Sequence, residues 1–349
     1  MKTNLIRVLP IIFSAVILSL SVAAWPASER ERSYPSLRER AAITVSYAAV
    51  SQSYSAVWVA KEAGMFERNG LDVELVFVGS GATNIQALIN NDVQIAVTGA
   101  AAIVSAAAGG VDLVMVGSMY DGMLFDLIAD KSIRTTSDLK GRKIGISRFG
   151  GSSHYAVVAM VKKVGLDPAK DVIIVQAGTD RMRAGAIVNG AIHATVVTPP
   201  VDQKYKDLGI HKLLSIKDLG IPYVNDAIVV SRGYYRENRG IVRNFLRALV
   251  ESFAFYKNSS NRDTVIKVMA KYLALDAGRD REVLSEMYDL FATEYYRKLP
   301  LVSAAGVKAV IDGVAERDPK ARHLAAEKLI DNGILHEMEK SGFVGSLYK

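Results

Sequence analysis

The stretch Arg148–Tyr155, RFGGSSHY, joins a strand-like run (Lys143–Ser147) to a helical one. Two glycines and two serines at such a junction gather backbone N–H groups and hydroxyls at one point. Orphan N–H groups and the helix dipole both favour negative charge at a helix start, so this chemistry suits an anionic group. One of Ser152 and Ser153 is expected to cap the helix. The other is expected to contact a ligand, and Gly151 leaves the backbone approachable. Arg148 offers charge-assisted pairing to a sulfonate or carboxylate, with an exposed arginine at a strand end as the favoured alternative. No Gly-Lys-Ser/Thr follows, as a phosphate loop requires, and Gly150-Gly151-Ser152-Ser153-His154 lacks the closing glycine of a nucleophile elbow. GSGATN (Gly79–Asn84) imitates a dinucleotide fingerprint, but Asn84 stands at the third glycine and no acid ends the next strand.

The remaining reactive residue types do not assemble. The five histidines (His154, His193, His211, His323, His336) are scattered without metal-ligand spacing, and there is no cysteine. Thiolate nucleophiles, cysteine metal sites and disulfides are therefore excluded. In TDRMR (Thr179–Arg183), a Thr179 cap and a surface ion pair account for the charges. No paired carboxylates stand out, and no basic stripe with interleaved aromatics suggests nucleic acid. The chain offers a grip without a reacting group: a binding protein rather than an enzyme, with no cofactor and no metal.

The elements that must position this grip alternate regularly. AITVSYA, LDVELVFV, VQIAV and VDLVMVG read as strands separated by helices at Ser55–Asn69, Ala82–Asn91 and Ala100–Ala108. The pattern then restarts with RKIGIS, DVIIVQA and IHATVV around helices at Ser152–Val164 and Thr179–Asn189. Strands alternating with helices mean βαβ units and a largely parallel sheet. The halves echo each other: Ala87-Leu88-Ile89-Asn90 with Val93 matches Ala186-Ile187-Val188-Asn189 with Ile192 at equal spacing. DAIVVS (Asp226–Ser231) reads as a returning strand, and beyond it the apolar residues follow a helical period. The expected fold is α/β, with two open, mainly parallel lobes joined by a two-strand hinge. Lobe one takes residues 41–124 and 230–349, so the helical C-terminal region packs on it. Lobe two takes 131–223, and the crossings lie near Phe125–Ala129 and Asn225–Val229. Ligands of open α/β sheets bind beyond the carboxyl ends of the strands. That rule selects Ser51, Gln52, Ser53, Tyr54, Thr98, Gly99, Arg148–Ser153 and Thr198. Of the aromatics able to form a stacking wall, Tyr54 and Tyr120 fall where loops belong.

The chain has 349 residues and a formal charge of +7. Lys2 and Arg7 precede an apolar run, Val8–Leu20, with small residues at Val22-Ala23-Ala24, the pattern of an export signal. Cleavage after Ala24 removes two bases and no acid, leaving +5, and residues 25–40 read as a charged leader. The alternative is a retained N-terminal anchor, for which the apolar run is short.

Several segments together resemble one family. VWVAKEAGMFERNGLDVELVFVGSGATNIQALINNDVQIAVTG, SDLKGRKIGISRFGGSSHY, RMRAGAIVNGAIHATVVTPP and LIDNGILHEMEKSGF are similar to the periplasmic solute-binding proteins of ABC importers. The group is the one for nitrate, taurine, alkanesulfonates and thiamine pyrimidines, with the periplasmic binding protein type 2 fold. The resemblance implies a ligand trapped between two lobes and delivered to an inner-membrane ABC permease. It places Ser51 to Tyr54, Thr98, Gly99, Ser152, Ser153 and Thr198 at the ligand, with Asn225 and Asp226 as further candidates near the hinge. The ligand is expected to be a small anion (sulfonate, carboxylate or inorganic) or a heterocycle. The expected state is a periplasmic monomer, without nucleic acid and without membrane insertion once the signal is cleaved. Pyrimidine synthases sharing the fold carry a cysteine-rich motif, which this chain lacks. Alternatives are an exported enzyme on the same fold and a soluble ligand-sensing partner of a membrane receptor.

Overall fold

The computed structural model describes residues 40–349 except 121, 148, 150 and 200–202, and the side chains of 203 and 204. The export signal, the leader up to residue 39 and Arg148 lie outside the described residues. No described helix is long and apolar enough to cross a membrane.

Ten strands form two five-stranded sheets of the same design. In chain order they are β1 (Ala41–Tyr47), β2 (Leu71–Phe77), β3 (Ile95–Gly99), β4 (Leu113–Ser118), β5 (Asp126–Asp130), β6 (Lys143–Ile146), β7 (Ile173–Gln176), β8 (Ala194–Val197), β9 (Ile210–Ser215) and β10 (Asp226–Ser231). The orders are β2-β1-β3-β10-β4 and β7-β6-β8-β5-β9. In each sheet the fourth strand is antiparallel to its neighbours and enters directly from the other sheet. Strand β5 therefore lies wholly in the second sheet and β10 wholly in the first. The expected crossings near 125–129 and 225–229 are displaced: the chain passes over just before each strand begins. Alternating apolar residues look alike in a crossing and in a strand, and only the pairing of Asp126 with Val197 and of Asp226 with Gly99 decides.

The internal echo has a structural counterpart in two matching helix ends. The helix Gly81–Ile89 closes through Asn91 at φ 62°, with Asp92 N donating to Ala87 O at 2.9 Å. The helix Asp180–Val188 closes through Gly190 at φ 74°, with Ala191 N donating to Ala186 O at 2.9 Å. The repeated Asn90 and Asn189 occupy the cap position just before that left-handed residue, whose turn satisfies the last free carbonyls.

Two large apolar clusters hold the described residues together. One lies between the first sheet and the long helix Arg239–Lys257, with Trp58, Phe66, Phe245, Phe253 and Phe291 inside. The other runs continuously from Ile85 and Leu88 through Leu127 and Ile144 to Val307 and Val310, and so includes residues of both sheets. Consequently the C-terminal region is not confined to the first lobe. The helix Ala304–Ala315 meets Tyr155, in the helix Ser152–Lys163 that follows β6.

Candidate ligand site

The loop after β1 is built from short-range bonds. Ser51 precedes the single turn Gln52–Tyr54 and accepts from Ser53 N. Ser55 Oγ donates to Gln52 O at 2.7 Å, and Tyr296 Oη donates to Ser53 O at 3.1 Å while accepting from Ala56 N. Tyr296 is itself held among Phe253, Tyr256 and Phe291, so an aromatic cluster supports the loop from below. Gln52, Ser53 and Tyr54 are all buried.

From this platform Tyr54 Oη donates to Asp226 Oδ1 at 2.8 Å. Asn225 Nδ2 donates to Asp226 Oδ2 at 3.1 Å and to Tyr120 Oη. Ser53 and Tyr120 also donate to the Asp226 carboxylate. Burial raises the Asp226 pKa above the ordinary carboxylate range, against the lowering effect of these four donors. Burial, with Asp226 next in importance, pushes the Tyr54 and Tyr120 phenols well up. Asp226 thus joins the loop after β1, the segment after β4 and the end of the return crossing in one polar hub.

The strand register separates two residues that sequence placed together. Asp226 pairs with Gly99 and Ala227 with Thr98, so Thr98 and Asp226 point to opposite faces of the first sheet. Thr98 is fully buried without a hydrogen-bond partner for Oγ1, beside Gly81 and Ala102. Gly99 contributes backbone: the next residue, Ala100, donates its N–H to Asn225 O at 2.8 Å.

The second lobe corrects two expectations. Gly151, not a serine, occupies the cap of the helix Ser152–Lys163, and no side chain caps it. Ser152 is exposed in the first turn. Ser153 is buried and engaged locally, accepting from Ser147 N at 2.8 Å and bonding Ser147 Oγ at 2.7 Å. The expected surface ion pair is also not at the surface, since Arg183 is 1% exposed. Its guanidinium donates to Thr195 Oγ1 at 2.8 Å, Val196 O at 2.9 Å and Asp180 Oδ1 at 2.6 Å. A Cβ on Gly145 would stand 2.5 Å from Ile192 Cδ1, and the Gly145 carbonyl accepts from Thr195 Oγ1 at 2.8 Å. Thr198 is exposed and its N–H is held by Asp180 Oδ2 at 3.2 Å.

The two loop sets are joined where Gln52 Nε2 donates to Pro199 O at 3.3 Å. Sequence reasoning missed Asp126, which opens β5 as Asp226 opens β10. It too is buried with a raised pKa, bonded by Ser215 and 3.9 Å from Lys212. The shared signal was an aspartate heading each crossing strand. His193 lies just before β8 and accepts from Lys143 N, a structural use. Among the described residues, no three His, Asp or Glu side chains converge as a metal would require. A surface groove of about 520 Å³ lies elsewhere, against β1 and β2 between Lys61, Asp72, Glu74 and Gln94.

Two crossing-linked sheets with converging strand-end loops define a two-lobed binding fold. A family model described as NMT1/THI5 like matches residues 51–261, and the chain belongs to this family. A putative thiamine biosynthesis protein of Haemophilus influenzae is 27% identical over 179 residues, covering 50% of this chain and 53% of that one. A putative aliphatic sulfonates-binding protein of Bacillus subtilis is 28% identical over 158 residues, covering 43% and 47%. The chain thus spans about half the length of these curated relatives. The solved periplasmic aliphatic sulphonate binding protein SsuA of Escherichia coli superposes with a TM-score of 0.64 at 20% identity, covering 82% of this chain and 98% of that one. The fold is that of the periplasmic binding proteins.

Proposed function

We propose that this protein is an extracytoplasmic solute receptor, exported to the periplasm, whose two lobes close on a small molecule and present it to an ABC permease. The observation that carries the reading is the Asp226 hub together with the Gln52–Pro199 bond. Loops from both lobes and the crossing itself converge there, so a ligand touching them gains contacts only when the lobes are closed. Such differential affinity is what drives closure. Ser51 to Tyr54, Gly99, Tyr120, Gly151, Ser152, Thr198, Asn225 and Asp226 are the proposed lining.

The same hub bears on the ligand's chemistry. Asp226 is the single formal charge among the described lining residues, and it is negative. Like charges 4 Å apart at an effective dielectric of about 20 repel by about 4 kcal/mol, roughly a thousandfold in affinity. A bare inorganic anion is therefore disfavoured near the crossing, and a ligand carrying positive charge there is favoured, through the field of a carboxylate whose acceptor positions four protein donors already take. An amino-substituted heterocycle fits this, as does an acid that also carries an amine.

A thermal-shift screen of the purified protein tests the reading. The panel holds aminopyrimidines, aminosulfonates, alkanesulfonates, carboxylates and nitrate. Stabilisation by amine-bearing compounds supports it, and chemical turnover of a bound compound would instead establish an enzyme.

A further inference from the structure

The helix Ala304–Ala315 sits where it can govern the angle between the lobes. Ser303 caps it, accepting from Gly306 N at 3.1 Å, and Val307, Val310, Ile311 and Val314 are buried in the cluster that joins the sheets. On its first-lobe side it packs against the helix Ala100–Ala108.

Glycine is the poorest helix former after proline, yet this helix carries Gly306 and Gly313 in its interior. Seven residues are about two turns, so both lie on one face. Each marks a close approach. A Cβ on Gly306 would stand 3.0 Å from Tyr223 C and 3.1 Å from Val224 N, in the return crossing. A Cβ on Gly313 would stand 3.0–3.3 Å from the ring of Tyr155. Tyr155 Oη donates to Gly313 O at 2.6 Å. Tyr155 lies in the first turn of the second-lobe helix that Gly151 caps, four residues beyond that glycine. One helix face thus bears on the crossing and on the moving lobe at once, while its base belongs to the first lobe.

We propose that the Tyr155–Gly313 contact is a latch that favours the closed arrangement of the lobes, with the helix Ala304–Ala315 as its fixed arm. The proposal rests on the receptor reading above. A swing of the second lobe must break this bond or drag the helix from its bed of valines, and the second course uncovers apolar surface. Breaking the bond is the cheaper route, so its loss shifts the population toward the open form.

The absence of native cysteine allows a direct test. Ile89→Cys and Val188→Cys, at exposed positions on the two lobes, take spin labels, and pulsed EPR reads the distance between them with no compound added. Tyr155→Phe removes the bond and keeps the ring, while Gly313→Ala keeps the hydroxyl and crowds the ring. Both are expected to move the open-to-closed ratio toward open by about two- to tenfold, the worth of one hydrogen bond. Tyr155→Phe leaving the parent's distribution unchanged overturns the latch, even if Gly313→Ala shifts it. Failure of the receptor reading registers separately, as a parent distribution that no compound of the screening panel alters.

Discussion

Tyr54 and Asp226, 172 positions apart in the chain, are joined by a hydrogen bond of 2.8 Å from the phenol to Oδ1. This bond fixes the loop after β1 to the first residue of the strand returning from the second sheet. The polar lining and the hinge are consequently one network, and disturbing either end is felt at the other.

Removing the phenol tests that connection. Hydrogen bonds to a charged group contribute about 1.5–3 kcal/mol, so Tyr54→Phe is expected to lower unfolding stability within that range. Urea denaturation measures it. A loss below a few tenths of a kcal/mol contradicts the view of Asp226 as a hub.

The pH dependence follows from burial. The folded-state pKa of Asp226 is raised, with desolvation outweighing its donors, and Asp126 is raised in the same way. A raised carboxyl contributes stability that is fully present below the unfolded aspartate pKa of about 3.9 and is lost as pH rises through the folded value. Asp226→Asn keeps the shape and stays neutral. Its melting temperature is expected to gain on the parent's from about pH 4 toward neutrality. Calorimetric scans at several pH values check this, and a constant gap contradicts it.

Arg183 is expected to be a stability residue. Its loss leaves Val196 O and Thr195 without their donor and Asp180 without its partner. Asp180 is half-exposed and recovers water, so the expected cost of Arg183→Ala is about 2–3 kcal/mol rather than that of a fully buried pair. Arg183→Lys is not expected to rescue it, because a point charge cannot serve four partners, Gly178 O among them, in a fork. Chemical denaturation of both variants reads the difference.

The two serines of RFGGSSHY separate cleanly. Ser153→Ala removes the acceptor of Ser147 N and is expected to cost about 1 kcal/mol of stability. Ser152→Ala is expected to leave stability unchanged, since that side chain is exposed. A ligand effect without a stability effect at Ser153 would reverse these roles.

The α/β alternation and the duplicated lobes were legible because apolar runs of strand length recur between helical patterns, and because the Asn-terminated helix ends repeat. Strand β9 was not legible: in IHKLLS, His211 and Lys212 dilute the apolar pattern of an edge strand. Asp226 was visible as a candidate near the hinge, but its central place depends on Tyr54, Asn225 and Tyr120, which only the fold brings together. Arg183 was misread for a related reason. Beside Asp180 at a helix start it has the spacing of an exposed pair, while its burial is decided by Thr195 and Val196 on strand β8. Thr98 was placed correctly along its strand, but its face follows from a register that the sequence does not display.

On the proposed function, a small ligand is gripped at the Asp226 hub by loops of both lobes. Isothermal titration with the most stabilising compound of the screen, on the parent and on Gln52→Ala and Asp226→Asn, tests it most directly. The expected ligand is amine-bearing, and its affinity falls at least about tenfold in each variant, through loss of one hydrogen bond at Gln52 or of the attraction to the Asp226 charge. Equal affinity in all three proteins, or tightest binding by nitrate or an unsubstituted alkanesulfonate, would contradict it.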